Sequence, residues 1–468
     1  MWGIEVFLWA VVLGFVLGSL DDLWIDGVHL FMRRFRRVFV FTHKKYKENS
    51  IAVLVPAWQE SDVLEAMVRT NLARIQYQNY HWWIGVYPND TATVNIARLL
   101  SKEFPDKISI VLTDRPGPTS KAHCLNQILR KLSEGPSWDW AVIHDAEDVI
   151  HPLSFALINE QYDPKYTDFI QLPIFSLPLP LSQWTAGTYL DEFAEVHLKE
   201  LPVREWLGMP IPSAGVGTFF SHTILTRVHA EFGYTFDENN LTEDYEISQR
   251  IAALGGRQSF CLTKDETGEW IATREYFPKE LTRSIRQKAR WTTGICLQTW
   301  KKWGWFTLIR LRQLPARQRF LFLYAWWRDR KGLWSNPLTL FSWSLSLTWL
   351  SWMVLAQGQM LRFIEAHPLT NHLLTLNLFF VAVRFVQRTR FTLQISSPQQ
   401  AALAGARTLL SQLIGISASL SALRNHRAAR KSGGQPIRWD KTAHVFPTLE
   451  ILSAAHPKKS IAEQGPPR

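Results

Sequence analysis

The sequence predicts an α/β protein built on a doubly wound, mostly parallel sheet, with transmembrane helices at both ends of the chain. Short apolar runs typical of buried strands alternate with helical patterns between residues 50 and 300. An uncharged apolar stretch, residues 6–20, precedes that region, and a longer one, residues 337–357, follows it. A chain of 468 residues is also too long for one compact core, so a globular domain with separate membrane segments is expected.

Residues 1–30 are predicted to be an N-terminal membrane anchor. Their uncharged stretch has Trp2 and Trp24 near its ends, and indole rings favour the bilayer interface. A secretory signal peptide is the alternative, but no basic segment precedes the stretch and no small-residue cleavage site stands out. The basic cluster of residues 33–37 places the following domain, residues 31–300, in the cytoplasm.

Four apolar runs in this domain are predicted to be strands: 51–55, 82–87, 108–112 and 140–143. A helix is predicted to begin at Ser120-Lys121, because apolar residues follow at helical spacing. Ligands bind at the carboxyl ends of the strands in doubly wound sheets. Asp90 and Asp145 each follow a strand end, so both are expected in one crevice.

The C-terminal part is predicted to associate with a membrane. We expect interfacial helices at residues 301–334 and a transmembrane hairpin at residues 335–390. If residues 391–430 crossed the membrane, the basic residues at 424–431 would lie outside the cytoplasm, although Lys and Arg prefer the cytoplasmic side of a membrane. These residues are therefore predicted to form an amphipathic helix on the cytoplasmic surface. The tail, residues 431–468, is predicted to be cytoplasmic and partly disordered.

Composition supports a membrane surface as the partner. Charged residues make up only 20% of the chain, and the 22 tryptophans suit a bilayer interface. The net charge of +11 is concentrated beside the apolar stretches, and no recognised nucleic-acid module accompanies it, so we expect no nucleic-acid binding. The three cysteines form neither a metal-ligand spacing nor a disulfide framework.

An acidic cluster follows the fourth predicted strand. Asp145 and Glu147, two residues apart, could hold a hard divalent cation that neutralises a diphosphate. Asp148 is an alternative second ligand. A solvated acidic loop is the plain interpretation of such a string on its own.

A second acidic group, Glu243-Asp244, follows Thr242 and precedes an apolar helical pattern. Alone, it is an ordinary helix start, with Thr242 as the N-cap. Functionally, Asp244 could be the general base that takes a proton from an acceptor hydroxyl.

Gln287, Arg290 and Trp291 share one helical face by their spacing. Arg290 could pair with phosphate oxygens and Trp291 could stack on a sugar ring, whereas the plain interpretation is a helix anchored to lipid. Lys121, in the first turn of a helix, could contact a phosphate. Residues 215–220 are predicted to be a small-residue loop that approaches a ligand.

Taken in order, these motifs resemble family-2 glycosyltransferases, specifically the membrane-embedded, cellulose-synthase-like branch. The resemblance covers residues 50–300. It rests on an Asp after a strand, an acid pair, a Thr-Glu-Asp triplet and a Gln-x-x-Arg-Trp box, which are Asp90, Asp145 with Glu147, Thr242-Glu243-Asp244, and Gln287 with Arg290-Trp291. Residues 55–60, which include Pro56, Ala57 and Glu60, resemble the donor-binding start of that branch, and the helix at Lys121 resembles one that touches the nucleotide diphosphate.

The resemblance implies a GT-A fold and an inverting glycosyltransferase, with Mg²⁺ or Mn²⁺ as cofactor. The donor would be a uridine-diphosphate sugar and the acceptor a growing envelope polysaccharide at the cytoplasmic face of the inner membrane. Asp90 would contact the nucleobase, Asp145 and Glu147 would serve the metal and diphosphate, and Asp244 would be the base. Glu243, Gln287, Arg290 and Trp291 complete the expected catalytic set.

Two other functions stay open at this point. One is transfer of a single sugar to a lipid phosphate carrier. The other is a non-catalytic membrane component of an export or phage-receptor assembly. Membrane lipids are expected partners in each case, and an outer-membrane partner or a homo-oligomer is plausible because so few predicted spans could hardly enclose a polymer channel.

Overall fold

The computed structural model describes residues 2–36, 38–44, 46–302, 311–355, 368–431 and 446–447. The strands in chain order are β1 Phe39–Phe41, β2 Ile51–Pro56, β3 Tyr80–Val86, β4 Ile108–Leu112, β5 Trp140–Ile143, β6 Phe169–Gln171, β7 Ile174–Ser176, β8 Thr218–Ser221, β9 Gln258–Phe260, β10 Thr263–Asp265 and β11 Thr273–Glu275.

Seven of these strands form the central sheet, in the order β4-β3-β2-β5-β8-β6-β9. β2 is parallel to β3 and β5, and β4 is parallel to β3, as the alternating pattern predicts. Every residue of β2 is buried, because helices cover both faces of the sheet. The four predicted strands are therefore confirmed.

β8 lies antiparallel to both of its neighbours, β5 and β6, so the sheet is mixed. The prediction of a loop through residue 220 was wrong for its second half. Gly215 and Gly217 do adopt positive φ angles of 83° and 59°, as a turn requires. Phe219 and Phe220 then enter the core as a strand, since both rings are fully buried.

The α-helices are α1 Trp2–Phe35, α2 Leu64–Arg74, α3 Thr91–Glu103, α4 Lys121–Leu132, α5 Ser154–Gln161, α6 Trp184–Glu195, α7 Leu201–Leu207, α8 His222–Phe232, α9 Glu243–Ala253, α10 Leu281–Thr292, α11 Ala316–Leu355, α12 Pro368–Thr392 and α13 Pro398–Lys431. π-helical turns at Val196–Glu200 and Thr293–Gln298 follow α6 and α10. A short 3-10 turn, Leu311–Gln313, precedes α11.

α1, α11, α12 and α13 pack together as a helical bundle beside the sheet domain. The predicted boundary between residues 334 and 335 lies inside α11, which continues across it. Within the described residues, one helical segment, Pro398–Ala428, has the length and apolarity needed to cross a membrane. It lies within residues 391–430, the segment that the sequence predicts to be an amphipathic helix on the cytoplasmic surface. The spans predicted near residues 6–20 and 335–390 stay predictions.

Part of that apolar segment contacts the sheet domain instead of facing outward. The guanidinium of Arg407 in α13 donates hydrogen bonds to both carboxylate oxygens of Asp191 in α6, at 2.7 and 2.8 Å. Ser411 donates to Glu192 of the same helix. Because Arg407 is only 1% exposed, α13 is held to the domain by a buried ion pair.

Candidate active site

One pocket of about 150 Å³ lies at the edge of the sheet where β2 and β5 end and β8 begins. Ten of the residues singled out by the sequence line it: Pro56, Glu60, Lys121, Asp145, Glu147, Glu243, Asp244, Gln287, Arg290 and Trp291. Since the first and last of these are 235 positions apart, the fold brings five separate segments to a single crevice.

Lys121, the first residue of α4, connects two walls of the pocket. Its Nζ lies 2.6 Å from Oδ1 of Asp145 and 3.4 Å from the carbonyl oxygen of Gly215. Burial by itself would lower the pKa of the Lys121 ammonium, but the nearby carboxylates of Asp145, Glu243 and Asp244 raise that pKa above its usual value. Lys121 is therefore a permanent cation between the acidic motifs.

The loop after β5 gives Glu147 and Asp148 different surroundings. Glu147 lines the pocket, whereas Asp148 is fully buried and accepts hydrogen bonds from Nδ1 of His144, at 2.8 Å, and the backbone N–H of Asp145, at 3.1 Å. Burial lowers the pKa of His144 to about 3, so the ring is neutral and donates from Nδ1. Asp148 thus shapes the loop, and Glu147 is the acid that faces the pocket beside Asp145.

α9 begins at Glu243, so the predicted helix start is confirmed, although the Thr242 side chain does not cap it. The Thr242 hydroxyl instead donates to Oδ1 of Asn240 at 3.3 Å. Oδ1 of Asp244 accepts a 2.8 Å bond from the backbone N–H of Tyr245, which fixes the carboxylate at the start of the helix. Acids in this first turn also suit the helix dipole.

Glu243 and Asp244 are adjacent acids in a poorly hydrated site. Burial, followed by repulsion from Asp244, raises the pKa of Glu243 to about 7. Burial likewise raises the pKa of Asp244, although the positive charge of Lys121 opposes that rise. Near neutral pH, partial protonation of Glu243 limits the negative charge in the pocket, and the raised pKa makes the Asp244 carboxylate more basic than an exposed one.

α10 presents Gln287, Arg290 and Trp291 to the pocket on one face, as their spacing predicts. Oε1 of Gln287 and Nε of Arg290 are buried and have no hydrogen-bond partner among the described residues. Buried polar atoms without partners are uncommon because they cost free energy, so these two favour a polar ligand in the pocket.

Trp291 is held by an aromatic cluster behind the pocket. Its ring meets Tyr189 edge to face at 5.9 Å between centroids, and Tyr189 in turn stacks on Phe277 at 4.9 Å. Lys288, on another face of α10, pairs with Glu192 at 2.6 Å. α6 therefore positions α10 through both an aromatic and an ionic contact.

Two glycines allow the walls to approach each other. A Cβ atom on Gly215 would lie 2.7 Å from Oδ2 of Asp244, and one on Gly294 would lie 2.2 Å from Oγ1 of Thr242. Gly294 stands in the π-helical turn after α10, so its missing side chain sets the spacing between the Gln-x-x-Arg-Trp helix and the Thr-Glu-Asp motif.

Ala57 and Asp90 are the two candidate residues that do not line this pocket. Asp90 caps α3 by accepting from the backbone N–H of Thr93 at 3.3 Å, and its other oxygen accepts from the N–H of Gln59 at 2.5 Å. Ala57 is fully buried just after β2. Asp90 therefore supports the loop that carries Pro56 and Glu60, at the same edge of the sheet.

Sequence reasoning missed other contributors. Asn240 and Glu275 also line the pocket, but each stands outside a recognisable motif. The hydroxyl of Tyr245 donates a 2.7 Å hydrogen bond to Asp329 of α11, 84 positions away in the chain. Tyr245 directly follows the recognised Thr-Glu-Asp triplet, which could have drawn attention to it. Nothing in the sequence indicates that Asp329 is its hydrogen-bond partner.

The pocket has the donor set of a divalent cation site. Asp145 and Glu147 supply the hard oxygen ligands that Mg²⁺ and Mn²⁺ prefer. Six acids line the pocket against two cations, Lys121 and Arg290. The acids are Glu60, Asp145, Glu147, Glu243, Asp244 and Glu275. This excess of carboxylate fits a bound cation.

A second group of ligand atoms, from His151, Asp265 and Glu269, lies within 4.8 Å of one another outside the pocket. Arg274 donates to Glu269 at 2.7 Å and supplies positive charge there. Nδ1 of His151 accepts from the N–H of Leu153 at 3.2 Å, so its other ring nitrogen carries the proton and cannot bind a metal in that tautomer. The pocket at Asp145 is the better fit for a metal.

A family model described as "Glycosyltransferase like family 2" matches residues 48–294, which include all of the motifs above. The chain belongs to this glycosyltransferase family. The resemblance that the motif order indicated is therefore confirmed.

Two curated relatives are similar over most of the chain. They are Bacteriophage adsorption protein B of Escherichia coli K12 and Bacteriophage N4 adsorption protein B of Escherichia coli O157:H7, each 32% identical over 96% of this chain. The chain spans 63% of the length of each relative.

A solved structure shares the fold of this family-2 domain. The mannosyltransferase PcManGT from Pyrobaculum calidifontis, in complex with GDP-Man and Mn²⁺, is similar with a TM-score of 0.53 at 15% identity. The match covers 89% of this chain and 99% of that one, and it supports the predicted GT-A-like fold.

Proposed function

We propose that this chain moves a sugar from a uridine-diphosphate donor to a growing envelope polysaccharide, with inversion, at the cytoplasmic face of the inner membrane. One observation carries the proposal: Lys121, Asp145, Asp244 and the Arg290-Trp291 pair line a single pocket. A similar fold holds GDP-Man and Mn²⁺ in PcManGT, which supports a nucleotide-diphosphate sugar and a divalent metal here.

The donor side of the pocket would be built from three segments. Asp145 and Glu147 would hold the Mg²⁺ or Mn²⁺ ion, which supplies charge neutralisation for the departing diphosphate. Lys121 and Arg290 would bind the diphosphate oxygens, and Pro56, Ala57, Glu60 and Asp90 would form the nucleoside side. The Nε of Arg290, which has no hydrogen-bond partner among the described residues, supports such a contact.

The acceptor side would be built around Asp244. In a single displacement, the acceptor oxygen attacks the anomeric carbon opposite the diphosphate, and its bond forms as the sugar–phosphate bond breaks. The hydroxyl proton passes to Asp244, whose raised pKa suits a base. Trp291 would stack on a sugar ring, Gln287 would hydrogen-bond a hydroxyl, and Glu243 would tune the charge beside Asp244.

Membrane association is supported by the outer surface of the bundle. Large apolar side chains are exposed on all four helices: Leu17 at 59%, Leu355 at 82%, Phe379 at 53% and Leu420 at 62%. Exposed apolar surface spread over a whole bundle fits lipid better than water. We propose that the bundle contacts the inner membrane, with the sheet domain in the cytoplasm.

Asp244→Asn tests the mechanism directly. Loss of the general base should lower the initial rate of sugar transfer by about 100-fold or more, because an amide cannot accept the proton. Donor binding and the unfolding temperature should stay near wild type. Asp62→Asn, at an exposed acid outside the pocket, is the matched control and should keep full activity. Turnover retained in Asp244→Asn would remove the proposed base.

The names of the two relatives favour a second candidate, a non-catalytic role in a phage-receptor assembly. In cells that lack their own adsorption protein B, Asp244→Asn protein would restore phage adsorption if the role were structural. The same variant would fail if the sugar product is needed. The lengths of products made by wild-type protein separate polymer synthesis from transfer of a single sugar to a lipid phosphate carrier.

A further inference from the structure

A second pocket, of about 300 Å³, lies where the C-terminal end of α1 meets the sheet domain. Its walls come from α1, the turn after α6 and the strand region near β10. Met32, Leu198 and Trp270 contribute apolar surface, whereas Arg33 and Arg36 contribute positive charge. The pocket shares none of its lining residues with the candidate active site.

The polar lining of this junction pocket is suited to an anion. The described residues that line it include no carboxylate. Arg36 is paired with Glu205 at 2.5 Å, but the Arg33 side chain is exposed at the rim. His29, only 5% exposed, also lines the pocket, and its Nδ1 is buried without a hydrogen-bond partner among the described residues. An unpartnered buried nitrogen beside arginine indicates a missing polar ligand.

The surroundings of the junction pocket indicate what kind of molecule brings that anion. Leu30, Phe31, Phe35 and Phe39 are close in sequence to the lining residues of α1 and are between 51% and 66% exposed. Bulky apolar side chains interspersed with arginines are typical of a segment at a bilayer interface. An anion that carries apolar chains can contact both the basic side chains and the apolar side chains of the pocket. A small soluble anion would contact only the basic side chains.

We propose that the junction pocket binds one anionic phospholipid, with its phosphate at Arg33 and His29 and the upper part of an acyl chain against Met32, Leu198 and Trp270. The Arg33 guanidinium donates charge-assisted hydrogen bonds to the phosphate oxygens. This site rests on the membrane association proposed above and is independent of the sugar-transfer chemistry.

The test uses the purified 468-residue chain in neutral detergent and dioctanoyl lipids. Dioctanoyl-phosphatidylglycerol should bind saturably and raise the unfolding temperature, with an affinity about tenfold above that of dioctanoyl-phosphatidylcholine. Inorganic phosphate should not raise the unfolding temperature. Asp244→Asn should bind the lipid like wild type while it fails in sugar transfer, so the two proposals can fail separately.

Arg33→Glu and Arg34→Glu form a matched pair, since both arginines are exposed and only Arg33 lines the pocket. Arg33→Glu should weaken phosphatidylglycerol binding by about tenfold, and Arg34→Glu should change it by less than about twofold. Unfolding temperatures without lipid confirm that both variants fold. Equal losses in the two variants, equal binding of the two lipids, or an equal effect of phosphate alone would each overturn the site.

Discussion

At the scale of single residues, the pocket depends on one cation placed among several acids. Lys121 lies 2.6 Å from Asp145, and its charge opposes the rise in the pKa of Asp244. Glu243 has no ion pair of this kind with any residue that the structure describes, and burial raises its pKa to about 7. The folded protein therefore binds a proton at Glu243 more tightly than the unfolded chain does, and stability must depend on pH.

Glu243→Gln should reveal that dependence. Wild-type protein loses stability as pH rises from the unfolded pKa of about 4.5 to the folded pKa of about 7, because the buried carboxylate must ionise. The variant cannot lose this proton, so its advantage over wild type should grow across this window by about 1–3 kcal/mol. Thermal unfolding at several pH values, without metal, measures it. Glu134→Gln, at a fully exposed glutamate, should show no such growth.

Residue-level chemistry was partly readable from the sequence. Asp145 was expected in the pocket because it follows a strand, and the carboxyl ends of parallel strands meet at one edge. Asp90 follows a strand in the same way, yet its carboxylate is engaged by the backbone N–H groups of Gln59 and Thr93. The pattern gives the position of a side chain along the chain, but the local hydrogen bonds decide where it points.

At the scale of elements, α9 is connected to the bundle through a buried hydrogen bond. Tyr245 is 2% exposed, and its hydroxyl donates to Asp329 of α11, which also binds Arg204 of α7. The backbone N–H of Tyr245 holds Asp244. The proposed base is therefore positioned partly from α11, through a contact that no local pattern could predict.

Tyr245→Phe removes only the hydroxyl, and Asp329 keeps its ion pair with Arg204. We expect kcat to fall by about three- to tenfold, since a net hydrogen bond contributes about 1 kcal/mol, while KM for the donor stays unchanged. Tyr324→Phe on α11 is the control, because it loses a 2.5 Å hydrogen bond to Asp21 away from the pocket. Equal effects in both variants, or none in Tyr245→Phe, would contradict the positioning role.

At the scale of the whole molecule, buried ion pairs join the bundle to the sheet domain. Arg328 and Lys331 bind Asp21, and Lys331 also binds Asp22 at 2.9 Å. The sequence predicts that basic charge lies beside the apolar stretches, but it could not show these ion pairs, because the partners lie more than 300 positions away. Arg407 lies in the segment that the sequence predicts to be a surface helix, whereas its side chain is buried in an ion pair with Asp191. Long-range pairing is the part of the fold that periodicity could not reveal.

Arg407→Leu should destabilise the whole molecule. It leaves the Asp191 carboxylate buried without its counter-ion, which typically costs about 3–5 kcal/mol. The unfolding temperature in detergent measures the loss, and Arg424→Leu, at an exposed arginine on the same helix, should change it little. Asp191→Leu combined with Arg407→Leu should recover part of the stability. A stable single variant would show that α13 does not depend on this pair.

The close approach at Gly294 also limits how this protein can be altered. Any side chain at position 294 would clash with Thr242 and separate the Gln-x-x-Arg-Trp helix from the Thr-Glu-Asp motif. A smaller residue at position 242 cannot relieve the clash, because the backbone nitrogen of Thr242 would lie only 2.8 Å from the added Cβ atom. A single methyl group at position 294 should thus increase the distance between Asp244, the proposed base, and Trp291 without contacting either side chain. We expect such a variant to fold but to lack sugar-transfer activity, because the distance between the two motifs has changed.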